Sequence, residues 1–232
     1  MTGIDRRLAG VATAFFMSGL CAQPLLAEDS MTGGSSAAPT ERTHLLGDWG
    51  SVRSRLAERG IIFDFQATQF YQGVVDGSAG TSDWQYGVKG DYFLTVIGEK
   101  AGLWKGIIFN VHAETRAGED VNALTGLSPA NAAMSYPNSD DTTAITQAMA
   151  IQMVGEQTGL VAGKINAFDF IDLVYQTGRG VDGFMNTSLV IPTPLAQTIP
   201  ASLATAGVLK FKGKDVQGAA VVYDPNNCAT TS

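Results

Sequence analysis

The chain has 232 residues and a formal net charge of -7. Charged residues make up only 16% of it, against about 25% in an average soluble domain, and glycine is abundant. The acidic balance, with no Lys/Arg cluster to neutralise phosphates, excludes nucleic acid as a partner. The body also lacks the run of about 20 apolar residues that a membrane-spanning helix needs.

Residues 1–27 read as a secretory leader: Arg6 and Arg7 form a positive start, Leu8 to Ala22 is apolar, and Ala27 closes a cleavage site before Glu28. Its removal takes Cys21 away and leaves Cys228, so no intrachain disulfide is expected. Residues 28–43 are small, polar and Pro-containing, a flexible linker. Residues 44–60 hold a short amphipathic helix over 48–59, capped by Asp48 and ended by Gly60. Leu46, Trp49, Val52 and Leu56 share one of its faces; Arg53, Arg55, Glu58 and Arg59 lie on the other. An ordinary surface helix and a helix tucked against the periplasmic mouth of a barrel both fit.

From residue 61 the pattern changes to alternation with period two, which predicts strands over 61–72, 84–97, 103–116, 143–154 and 160–166. Ile61, Phe63, Phe65, Ala67 and Tyr71 oppose Asp64, Gln66, Thr68 and Gln72. Trp84, Tyr86, Val88, Tyr92, Leu94 and Val96 oppose Gln85, Lys89, Asp91 and Thr95. Leu103, Ile107, Phe109, Val111 and Ala113 oppose Asn110, His112, Glu114 and Arg116. In the fifth stretch Val161 and Ile165 are set against Lys164 and Asn166. The look-alike turns GEKAG (98–102) and GEQTG (155–159) alternate with longer polar loops at 73–83 and 117–142. Residues 167–200, rich in Gly, Pro and apolar side chains, read as a long loop, and 201–211 and 216–224 as two more strands.

A soluble antiparallel sheet alternates in the same way. Three features favour lipid: the leader, strands of 12–14 residues where a tilted membrane strand needs about 9–11, and aromatic residues near strand ends (Tyr71, Trp84, Tyr86, Trp104). The expected fold is therefore an all-β transmembrane antiparallel barrel occupying 61–232. About seven strands are counted, whereas one-chain bacterial barrels have an even number and an open edge has no water to bond in lipid. The sequence is accordingly expected to be the front portion of a larger barrel; a complete eight-stranded barrel is the alternative.

LLGDWG (45–50), RLAERGI (55–61), TQFYQGVV (68–75), LWKGIIFNVHAETRAGEDVN (103–122), AGKIN (162–166), GFMNTSLV (183–190) and YDPNN (223–227) occur in this order. Together they resemble the carbohydrate-selective porin family of OprB type. The resemblance implies a sixteen-stranded barrel in the outer membrane of a Gram-negative bacterium, passing mono- or oligosaccharides by passive diffusion. Outer-membrane lipid is an expected partner, and the sequence leaves open whether the full-length protein is a monomer or a homotrimer. A small surface barrel or barrel enzyme, and a soluble periplasmic sugar-binding β-domain, are the other readings.

A pore needs no catalytic residue and no cofactor; a polar lining with donors and acceptors exchanges with the hydration shell of a neutral sugar. Lys89, Asp91, Asn110, His112, Glu114, Arg116, Lys164 and Asn166 are the expected pore-lining set. The loop 117–142 is placed to fold into the channel. His112 and Glu114 are spaced H-x-E and share a strand face, but no second His or Cys cluster supports a metal site in the sequence.

Overall fold

The computed structural model describes residues 13–16, 47–75, 83–125, 129–135, 137, 143–175, 177–192, 194, 199–213 and 215–224. The linker 28–43, residues 44–46, most of the leader and the end of the chain from residue 225 lie outside the described residues.

The strands are β1 (Thr13–Phe16), β2 (Ile61–Gly73), β3 (Trp84–Ile97), β4 (Ile107–Gly118), β5 (Thr143–Met153), β6 (Thr158–Asn166), β7 (Ser202–Lys212) and β8 (Asp215–Tyr223). The helices are α1 (Val52–Glu58), α2 (Asn122–Thr125), α3 (Ala167–Tyr175) and α4 (Thr187–Val190), with 3-10 turns at Ala133–Ser135 and Gly178–Gly180. All the strands join one antiparallel sheet in the order β1-β8-β7-β6-β5-β4-β3-β2. From β2 to β8 each strand pairs with its neighbour in sequence, the meander that alternating tight turns and loops dictate. The four-residue β1 pairs with β8, Thr13 opposite Val221 and Phe16 opposite Gly218. No pairing joins β2 to β1 among the described residues, so the sheet is open.

The strand boundaries follow the expected ones closely, with two departures. β4 begins at Ile107 rather than at Leu103, because Leu103 N–H donates to Gly98 O (2.8 Å) and Gly98 N–H to Ile107 O (2.8 Å), folding 98–106 into a turn. Residues 167–200, expected as a loop, carry α3, the Gly178–Gly180 turn and α4. α1 also starts later than expected: Asp48 accepts from Ser54 N–H (2.9 Å) and Ser54 Oγ–H (2.8 Å), while Ser51 precedes the first helical residue.

Register fixes the two faces, since directly opposite residues point the same way. One face carries Phe65, Tyr71, Trp84, Tyr86, Ile145, Leu160, Val208 and Val222, and all of them are exposed. The other face carries Lys89, Asp91, His112, Glu114 and Gln147, and all of them are buried. This inverts the arrangement of a water-soluble sheet, in which apolar side chains go inside and charges outside. Aromatic rings mark both ends of the greasy face. Tyr71 stacks on Trp84 (centroids 5.1 Å apart) at the loop end of β2 and β3. Trp104 donates its indole N–H to Gln152 Oε1 (2.7 Å) at the turn end.

The inner face is not uniformly polar. Toward β5–β7 it holds an apolar cluster of Ile151, Val161 and Leu209, with Ile108, Met149, Met153, Ile165 and Phe211 packed around it. The charged groups gather over β3 and β4.

Candidate functional site: a buried charge cluster on the inner face

Adjacent strands assemble the cluster by register alone. Asp91 of β3 lies opposite Glu114 of β4, Lys89 opposite Arg116, and Phe93 opposite His112. Lys89 Nζ reaches Glu114 Oε1 at 3.1 Å and also donates to Ala133 O at 3.1 Å. His112 Nε2 lies 3.0 Å from Asp91 Oδ1 and 3.7 Å from Glu114 Oε1. Its ring stacks on Phe93 with centroids 4.1 Å apart. Opposite His112 the β4–β5 register shifts, leaving Thr146 as an extra residue. Such bulges bend a strand and re-aim its side chains. This one is pinned: Thr146 Oγ1–H donates to His112 O (3.3 Å), Ser202 Oγ–H to Thr146 O (2.7 Å) and Asn166 Nδ2–H to Thr146 Oγ1 (3.1 Å).

The segment after β6 completes the cluster from above. Asn166 Oδ1 accepts from Phe168 N–H (2.9 Å) and so caps α3. The capped helix carries Asp169, whose Oδ2 is 2.6 Å from His112 Nδ1. Arg179 follows on the Gly178–Gly180 turn, donating to Asp169 Oδ1 at 3.2 Å and Asp91 Oδ1 at 3.5 Å, with its guanidinium 5.1 Å from the Phe93 ring centre. Burial works to raise the Asp169 carboxyl, but His112 and Arg179 beside it outweigh that and hold it below its ordinary value. A depressed carboxyl stabilises the folded state above its unfolded value of about 3.9 and loses that contribution as pH falls through the folded value. Hydrogen-exchange protection of the α3 amides is thus expected to hold at neutral pH and fall below about pH 3.9. Asp169→Asn should flatten that fall; an unchanged profile would separate Asp169 from the docking of α3.

The expected pore-lining residues divide. Lys89, Asp91, His112 and Glu114 meet in the cluster. Arg116 lies beside it, donating to Met134 O and 3.6 Å from Asp120 Oδ2. Asn110 shares the inner face, donating to Thr95 Oγ1 (2.9 Å) and accepting from Gln147 Nε2 (2.5 Å). Part of the 117–142 loop lies over this face, since Ala133 and Met134 supply the carbonyls that meet Lys89 and Arg116.

Two of the expected residues need correction. Lys164 is opposite Ala148, which is opposite Val111, so it stands on the outer face with Leu160 and Ala162. Val161 and Ile165, set on the apolar outer side by alternation, face inward instead. The reason is that β6 is apolar on both sides, so only its neighbours' register fixes its orientation. Asn166 is fully buried as a helix cap and bulge clamp rather than standing in the lining. Asp169 and Arg179 were missed, because they sit on a segment expected to be a loop.

No protein-family model matches this chain, and no curated protein sequence matches it. A solved structure that it is similar to is the "High pH structure of Pseudomonas putida OprB", with a TM-score of 0.59 and 16% sequence identity. The match covers 74% of this chain and 42% of that one, so the chain spans less than half of its neighbour's length. At this identity the likeness is one of fold, and the fold is an antiparallel sheet of the porin-barrel type, open between β1 and β2.

Proposed function

We propose that this chain forms part of the wall of an outer-membrane porin through which neutral sugars diffuse. The observation that carries this reading is the inverted burial of the sheet: apolar side chains exposed on one face, charged ones buried on the other. Exposed Phe65, Ile145, Leu160, Val208 and Val222 form a surface suited to acyl chains, and the aromatic ends suit the interfaces. The inner face offers fixed donors and acceptors, which set selectivity in a pore through size and hydrogen bonding. α3 and the Arg179 turn, together with Ala133–Ser135, are the elements that narrow it. In lipid both sheet edges need partners, so the closed wall is larger than the sheet described, in accord with the longer neighbour. A leader cleaved after Ala27 would remove β1 and leave the β2–β8 meander intact.

The test is single-channel conductance after reconstitution of the closed wall, with this chain as its front part, into planar bilayers. Stepwise conductance that falls on adding glucose or maltooligosaccharides is the expected result. Material that stays soluble and monodisperse without detergent overturns the reading. The apolar patch around Ile151, Val161 and Leu209 favours a second possibility, a small sheet curled over its own side chains. Detergent-free solubility is the outcome that would select it.

A further inference from the structure

We propose that Asp91, His112 and Glu114 bind a divalent first-row transition-metal ion, with Asp169 orienting the imidazole. One ligand atom from each of the three lies within 4.8 Å of the others, and all three residues are buried. Their pairings on the outer side of the cluster are already made. Asp91 turns Oδ1 toward Arg179 and His112, and Glu114 turns Oε1 toward Lys89. The second oxygen of each, Asp91 Oδ2 and Glu114 Oε2, is buried without a hydrogen-bond partner. Buried carboxylate oxygens without a partner are costly, and a cation is one group that such atoms receive.

His112 supplies the third ligand in the geometry that metal sites use. A metal-bound histidine donates its other ring N–H to a carboxylate, which fixes the tautomer and the ring plane. Here Nδ1 meets Asp169 Oδ2 at 2.6 Å, and Phe93 stacks against the ring. Nε2 is left facing Asp91 and Glu114. A second proton on Nε2 is the competing occupant. That proton is donated to Asp91 Oδ1 at 3.0 Å, with Glu114 Oε1 3.7 Å away, and leaves Oδ2 and Oε2 unpartnered. A metal ion draws on the imidazole and both carboxylates together. The Asp91, Glu114 and Asp169 carboxylates exceed the Lys89 and Arg179 cations by one negative charge, so the cluster attracts a further cation. One imidazole with two carboxylates suits Zn²⁺, Co²⁺ or Mn²⁺, with water completing the shell. Bound there, the ion ties β3 to β4 and, through Asp169, to α3.

The sequence pattern hid this site because Asp91 comes from the neighbouring strand and not from the H-x-E stretch. The test uses the full chain, purified in detergent and stripped with a chelator, then titrated with Zn²⁺ and separately with Co²⁺. One equivalent is expected to bind, with Co²⁺ giving visible d–d absorption. His112→Gln should weaken binding at least a hundredfold, and Asp169→Asn tenfold to a hundredfold. Heat-modifiable gel migration reports whether each variant folds. X-ray absorption on the unmutated Zn²⁺ form gives a readout that needs no variant: one imidazole nitrogen with oxygen ligands at about 2.0–2.2 Å is expected. Absence of stoichiometric binding, equal binding by folded His112→Gln, or a shell without imidazole overturns the proposal. Metal content is read without conductance, so its outcome is independent of whether the protein passes sugars.

Discussion

Val208→Arg is expected to destabilise folding into a lipid bilayer by about 2–4 kcal/mol, while the same substitution on a soluble sheet would change little. Val208 stands near the middle of β7 on the outer face, opposite Leu160 and Ala220, and is 42% exposed. In water a half-exposed valine tolerates arginine within about 0.5 kcal/mol. At a bilayer midplane the same arginine costs about 2–4 kcal/mol, because the guanidinium must keep water or headgroups with it. The sign and size of the effect therefore identify the solvent of this face. Folding into lipid vesicles, followed by heat-modifiable gel migration and urea titration, measures it. Leu160→Arg, opposite Val208 on the same face, should behave alike. Unchanged folding of both arginine variants would remove the lipid assignment and with it the porin reading.

The strands were legible because alternation is a short-range signal. Each of β2, β3 and β4 carries enough contrast between, for example, Phe65 and Gln66 or Val111 and His112 to set both its existence and its sidedness. The turns were legible because GEKAG and GEQTG are too short for anything but a hairpin connection. β6 failed for the opposite reason. Leu160, Val161, Ala162 and Ile165 populate both of its faces, so its orientation comes from hydrogen-bonded neighbours that the local pattern does not contain.

The candidate site was half legible on the same grounds. Lys89, Asp91, His112 and Glu114 sit on well-patterned strands, and alternation places them on one face. Asp169 and Arg179 reach that face only through the return of the chain, 57 residues after His112 in the first case. A local signal did exist: Asn166 before AFDFIDLVY is an N-cap followed by an acidic first-turn residue, Asp169. The surrounding Gly and Pro masked it. What no local pattern carries is the bulge at Thr146, which arises from the pairing of β4 with β5 and helps to fix the backbone at His112.

The cluster also predicts how the inner face responds to a lost partner. Lys89→Met, measured with chelator present, is expected to destabilise the folded protein by about 3–5 kcal/mol, since it leaves a buried carboxylate without its ammonium. Both side chains are almost fully buried, 5% and 4% exposed, so solvent screening does little to soften the loss. The Ala133 carbonyl loses a donor in the same step, which loosens the 133–135 turn from the sheet. The double variant Lys89→Met/Glu114→Gln should recover much of that cost, because the uncompensated charge is gone and a neutral amide replaces it. A coupling of about 1–3 kcal/mol in the double-mutant cycle is the expected signature of a direct pair. Urea titration of the detergent-folded protein supplies all the corners of the cycle. If Lys89→Met costs less than about 1 kcal/mol, the pair is wet and worth no more than a surface ion pair. The inner face would then be an open, water-filled lining at this point rather than a closed polar knot.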